Sequence, residues 1–145
     1  HVPAALMLKY HLAKRDAAPS VTLWGTGTPL RDFMFVDDMA SAICFAAEHY
    51  SQAAPLNMGT GEEFSIRELA DTIRDVVGFS GENIQDTSKP DGAPRKLMDC
   101  SRLMQMGWRP AYSLHQGIER TYKWFQEHEG RILSMPQAQQ KGTDQ

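Results

Sequence analysis

The chain has 145 residues, 41% hydrophobic and 23% charged, which is enough for about one globular domain with its own core. A formal net charge of -3 disfavours nucleic acid and anionic membrane as partners, although a few local cations can still hold an anionic small ligand. Two cysteines make neither a disulfide framework nor a metal cluster, and no apolar run approaches the ~20 residues of a membrane span. A reducing, cytoplasmic setting is the expectation. The chain opens on His1 rather than Met, beside a helical pattern, so a piece of something longer is expected.

Apolar spacing predicts a helix over 4–14, with Leu6, Met7 and Tyr10 on one face. A β-rich run predicts a strand over 21–24 that ends in a glycine turn over 25–29, and a second extended run over 31–36. Asp37 is expected to cap a helix reaching about residue 50, with Met39, Ile43 and Ala47 as its apolar stripe and Cys44 in the core. A brief strand is expected over 56–58. Ser65 and Glu68 form a capping box, so a helix starts at Ile66, buries Leu69, Ile73, Val76 and Val77, and stops at Gly78. A strand over 83–85 precedes a polar loop rich in proline and glycine over 88–95. Asp99 is expected to cap a short helix ending near Gly107. Ser113 and Gln116 make another capping box, for a helix running to about residue 128 over an inner face of Leu114, Ile118, Thr121, Tyr122 and Phe125. Residues 132–145 are expected to be a polar, disordered tail after a domain spanning 1–131. Short strands alternating with amphipathic helices define an α/β class, and the strands are too few to complete a sheet without unpaired edges.

Some residues carry candidate chemistry. Gly25-Thr26-Gly27 and Gly59-Thr60-Gly61 are turn glycines by context, since neither completes a dinucleotide fingerprint. Asp37-Asp38 reads as helix capping, because adjacent helical residues do not face each other. Arg31, at a loop-to-strand junction, is either a surface cation or a clamp for a pyrophosphate. Lys89, in Lys89-Pro90-Asp91-Gly92, belongs either to a solvated loop or to an anion site, with Arg95 and Lys96 following. Trp24 suits packing or stacking on a base. Spacing alone gives His1 no role.

Taken together, Trp24-Gly25-Thr26-Gly27-Thr28-Pro29, Val36-Asp37-Asp38, Asn57-Met58-Gly59-Thr60-Gly61, Ser88-Lys89-Pro90-Asp91-Gly92-Ala93-Pro94-Arg95-Lys96 and Gly107-Trp108-Arg109-Pro110 resemble the GDP-L-fucose synthases. These are extended short-chain dehydrogenases/reductases, and the likeness spans nearly all of the chain except its tail. It implies an α/β fold forming the C-terminal, substrate-binding part, with the N-terminal Rossmann half missing. It further implies an NADP-dependent homodimer that epimerises carbons 3 and 5 of GDP-4-keto-6-deoxy-D-mannose and then reduces the 4-keto group. By the resemblance, His1 matches the histidine acid of the epimerisation. Trp24, Arg31 and Lys89 match residues that hold the GDP moiety, and Lys9 matches a basic position near the diphosphate, as a cation without the bidentate fork. NADP would be held mainly by the missing half, with the family's Ser/Tyr/Lys reduction residues and its epimerisation cysteine, which neither Cys44 nor Cys100 matches. The chain alone is therefore expected to be inactive. Pro3-Ala4, Leu8 and Phe35 depart from the family pattern and unsettle the details of the first helix. The rival readings are another nucleotide-sugar epimerase or dehydratase and a non-catalytic nucleotide-sugar-binding module.

Overall fold

A computed structural model of the chain describes residues 1–134. The elements run α1 (Val2–Arg15), β1 (Ser20–Trp24), β2 (Leu30–Arg31), α2 (Val36–His49), β3 (Phe64–Ser65), α3 (Ile66–Val77), β4 (Glu82–Asp86), β5 (Arg95–Lys96), α4 (Ser101–Gln105) and α5 (Leu114–Ser134). This is the expected α/β alternation. β1 pairs in parallel with β4, while β2 sits between antiparallel β3 and parallel β5.

Local chemistry accounts for the helices. Pro3 lies in the first turn of α1, where its missing N–H has no helical partner to lose. Ser65 Oγ accepts the Glu68 amide while the Glu68 carboxylate accepts the Ser65 amide, so both orphan donors of α3 are satisfied. Gly78, at φ 70°, closes α3 in the left-handed conformation that residues with a side chain avoid. Gln116 Oε1 and Ser113 Oγ form the expected box before α5.

The main core lies where α3 packs against α1 and α5. Leu69 and Ile73 are fully buried among Met7, Tyr10, Ile118, Tyr122 and Phe125, with Val21 and Leu23 of β1 closing the base. Each such aliphatic side chain contributes roughly 2 kcal/mol by leaving water. Ala42, Leu103 and Trp108 make a smaller cluster under α2.

Some expectations are corrected. The extended run over 31–36 is a strand only at Leu30–Arg31, and 56–58 forms no strand. Asp37 does not cap α2, whose N-cap is Phe35. The buried face of α2 is Asp38 and Ala42, one position before the expected stripe. That is a rotation of about 100°. Ile43 is 53% exposed, and Cys44 is exposed rather than in the core. The cause is Asp38, whose carboxylate accepts the amides of Ala111 at 2.8 Å and Tyr112 at 3.2 Å and so turns inward. The N-cap of α4 is Cys100, with Asp99 accepting the Ser101 amide one step outside it. α5 continues through Ser134, and Ile132 packs on the main core. The first residues of the expected tail are thus helical, and 135–145 lie outside the described residues.

Candidate nucleotide-sugar cleft

The N-terminal ends of α1, α2 and α5 converge on the segment after β2 and enclose an apolar cleft of about 680 Å³. His1, Arg31, Asp32, Ser113 and Thr121 supply polar groups to an otherwise apolar lining in which methionine recurs. A few polar groups in an apolar hollow are the usual make-up of a small-molecule site. His1 is the N-cap of α1 and uses no side-chain atom for capping. Its imidazole is exposed at the rim.

Arg31 ends β2. Its guanidinium donates to the Leu30 carbonyl at 2.6 Å, and a Cβ at Gly92 would stand 3.3 Å from its Nη2. The residue after it holds the floor. Asp32 Oδ1 accepts the Thr60 amide at 3.2 Å and its hydroxyl at 2.6 Å, while Oδ2 accepts the Gly61 amide at 3.1 Å. Those amides come from the Asn57-Met58-Gly59-Thr60-Gly61 loop, which is thereby pinned to the arginine-bearing strand.

His1 and Arg31 therefore share one cleft, and the other candidates lie elsewhere. Trp24 ends β1 with its indole 52% exposed, and the Lys89 ammonium stands 5.3 Å from the ring centroid. Such a cation–π pair at an exposed site contributes about 0.5–1 kcal/mol. Lys9 does not line the cleft, and its ammonium donates to the Thr22 carbonyl of β1.

Strand pairing reveals a cation that the sequence reading left in a loop. Lys96 is the register partner of Arg31 in parallel β5, so the two side chains leave the same face of the sheet. Arg95 leaves the opposite face and closes a bidentate pair with Glu63 at 2.7–3.0 Å. That guanidinium holds the Glu63 carboxyl below the usual range. Ser113 and Thr121, legible in the sequence only as a capping residue and an inner-face residue, also line the cleft. Burial, followed by the charges of Asp32 and Asp99, pushes the Cys100 thiol up, away from reactive thiolate chemistry.

The described residues contain no cluster able to hold a metal, and no helix long and apolar enough to cross a membrane. Gly25 (φ 77°) and Gly27 (φ 74°) lead into strand β2, and Gly61 leads into β3. No strand–glycine–helix cradle is present among them. Such a cradle is what holds a dinucleotide pyrophosphate in a Rossmann fold.

The chain's N-terminal part, residues 1–60, matches the NAD dependent epimerase/dehydratase family. A probable GDP-L-fucose synthase 1 of Oryza sativa is 49% identical over 88% of this chain, and the GDP-L-fucose synthase of Escherichia coli is 45% identical over 91%. Among solved structures, a GDP-L-fucose synthetase from Naegleria fowleri bound to NADP superposes with a TM-score of 0.84 at 29% identity over 90% of this chain. The chain spans only 39% and 44% of those two curated relatives, and 41% of the solved one. Residues 1–60 thus resemble that family, and the α/β fold matches the C-terminal part of an extended short-chain dehydrogenase/reductase. The sequence is similar to GDP-L-fucose synthases at 45–49% identity.

Proposed function

We propose that this chain is the nucleotide-sugar-binding part of a GDP-L-fucose synthase. The observation that carries this reading is His1 and Arg31 lining one apolar cleft, with Lys96 beside Arg31 on the sheet. In this reading Arg31 and Lys96 neutralise the pyrophosphate, Trp24 and Lys89 flank the nucleoside, and the apolar cleft takes the 6-deoxy sugar. Lys9 adds positive charge behind β1. A guanidinium paired with an ammonium is well suited to a diphosphate, because one gives fixed bidentate geometry and the other an adaptable point charge.

Epimerisation beside a keto group removes a proton from one face of the ring carbon and returns it on the other. An imidazole titrates near neutrality, so a protonated His1 can deliver that proton and be recharged from solvent at the cleft rim. The 4-keto reduction requires hydride, which NADPH supplies when bound to the remainder of such an enzyme. In this reading the chain binds GDP-sugar but turns nothing over alone, and the complete enzyme is a cytoplasmic homodimer.

Calorimetric titration of the chain with GDP and UDP tests the reading. Preferential GDP binding, weakened by Arg31→Ala, is expected. Equal or stronger binding of UDP would redirect it to another nucleotide-sugar enzyme. Absence of binding by folded chain would remove the site.

A further inference from the structure

The turn after β1 and the loop before β5 are far apart in sequence, yet one side chain joins them. Asp91 Oδ1 accepts the Thr26 amide at 2.9 Å, and Oδ2 accepts the Thr26 hydroxyl at 2.7 Å. Both carboxylate oxygens are therefore engaged with a single residue. The Thr26 hydroxyl oxygen also accepts the Thr28 amide at 3.2 Å, which sets the shape of the turn. Gly25 is the point of closest approach. A Cβ there would collide with Asp91 Oδ1, and its φ of 77° already excludes ordinary side chains.

The same loop is fixed on either side of Asp91. Asp86 Oδ1 accepts the Ser88 amide at 3.1 Å and hydroxyl at 2.5 Å, and the Lys89 amide donates to the Asp86 carbonyl at 3.3 Å. After Asp91, Gly92 lies against the Arg31 guanidinium, where a Cβ would stand 3.3 Å from Nη2. Lys89 sits between the Asp86 turn and the Asp91 strap, and Trp24 sits immediately before the turn that the strap grips. The cation–π pair spans these two anchored segments.

We propose that Asp91, acting through Thr26, is a positioning residue that locks Lys89 and Trp24 into one arrangement for a nucleoside diphosphate. This rests on the nucleotide-sugar reading above. The strap hydrogen bonds are solvent-exposed. Exposed hydrogen bonds contribute little to global stability, so their loss shows in local order and binding rather than in unfolding. The sequence Lys-Pro-Asp-Gly thereby gains a division of labour. The aspartate anchors, the lysine presents charge, and the glycine admits the guanidinium.

The test uses Asp91→Ala, Thr26→Ala and Thr26→Ser in this chain. Thr26→Ser retains both donors and serves as the conservative rescue. Two quantities are read: the GDP dissociation constant, and iodide quenching of Trp24, taken as the difference from each variant's Trp24→Phe counterpart. The two alanine variants are expected to weaken GDP binding by about tenfold, the size of one lost charge-assisted hydrogen bond. They are also expected to raise Trp24 quenching at an unchanged melting temperature, while Thr26→Ser behaves as the parent. GDP binding that the alanine variants leave unaltered overturns the proposal alone. No GDP binding by the parent chain, with quenching still responding to the strap, overturns the nucleotide reading and this role with it. Loss of the melting transition in the alanine variants, shared by Thr26→Ser, also overturns it, because the turn would then be a folding element.

Discussion

Asp32 and Thr60 are joined twice, through the Thr60 amide at 3.2 Å and its hydroxyl at 2.6 Å. One carboxylate thus fastens the Met58-Gly59-Thr60-Gly61 loop to the residue that follows Arg31, and it takes the Gly61 amide as well. Asp32→Ala is expected to cost about 2–3 kcal/mol, because it leaves these donors without a partner in a part-buried position. Urea denaturation measures it. Gly59→Ala should cost a similar amount for a different reason. Its Cβ would stand 2.5 Å from Asp32 Oδ2 and 2.9 Å from Cys100 Sγ, so the loop must shift away from the aspartate. Overpacking of this kind costs about 1–3 kcal/mol. The double variant should cost less than the sum of the two, since removing the carboxylate removes much of the collision.

Asp38 is 2% exposed, and its two carboxyl oxygens accept the amides of Ala111 and Tyr112. Asp38→Ala is expected to destabilise the chain by about 3 kcal/mol, in the range seen when buried donors to a charged acceptor are orphaned. Asp38→Asn keeps one acceptor and turns an N–H₂ toward the other amide, so it should recover only part of the loss. Equal stability of Asp38→Ala and the parent would contradict the role assigned to this residue in turning α2.

The contrast between what is and is not legible in the sequence has a physical pattern. The Ser65–Glu68 and Ser113–Gln116 boxes, the Gly78 stop and the stripe of Leu69, Ile73 and Val77 all depend on residues within a turn or two of each other. Local chemistry suffices for them, and the structure has them. The face of α2 is different. Met39, Ile43 and Ala47 form a sound apolar stripe, yet the helix rotates toward Asp38 because that carboxylate finds amides 73 and 74 positions later. No spacing rule sees that partner. The same holds for the pairing of Arg31 with Lys96. Strands of two residues carry almost no periodic signal, and only the sheet register brings the cations together. His1 owes its suggested role to resemblance rather than to pattern.

Tyr10 is fully buried, and its hydroxyl donates to Asn83 Oδ1 at 2.6 Å. Burial, with the nearby Asp71 charge adding to it, pushes the phenol up to about 12 from an ordinary value of 10.0. The folded state therefore favours the neutral phenol. The resulting stability is fully present below about pH 10 and is lost as pH rises through about 12. Denaturation followed from pH 8 to 11 should show stability falling at the alkaline end, and Tyr10→Phe should flatten that fall. At neutral pH the same substitution is expected to cost about 1–2 kcal/mol, because Asn83 Oδ1 loses its donor. An alkaline slope unchanged by Tyr10→Phe would assign the titration to another group.

Lys96 and Lys89 separate two ways in which lysine could serve the same ligand. Lys96 is the sheet neighbour of Arg31, while Lys89 lies over the Trp24 ring. If the diphosphate sits against the sheet, Lys96→Met removes a charge close to it and should weaken GDP binding about tenfold, with a shallower salt dependence. Guanosine, which carries no phosphate, should bind the parent and this variant alike. Lys89→Met should act in the other sense. It removes the cation from the indole face, so guanosine binding changes as well as GDP binding, and Trp24 emission shifts without ligand. Titration of both variants with guanosine, GMP and GDP at two salt concentrations distinguishes these roles. A loss in Lys89→Met that grows with each added phosphate, alongside an inert Lys96→Met, would move the diphosphate away from the strand and onto the Lys89 loop. The Arg31→Ala variant then decides between the two placements, since its effect should follow that of whichever lysine shares the phosphate.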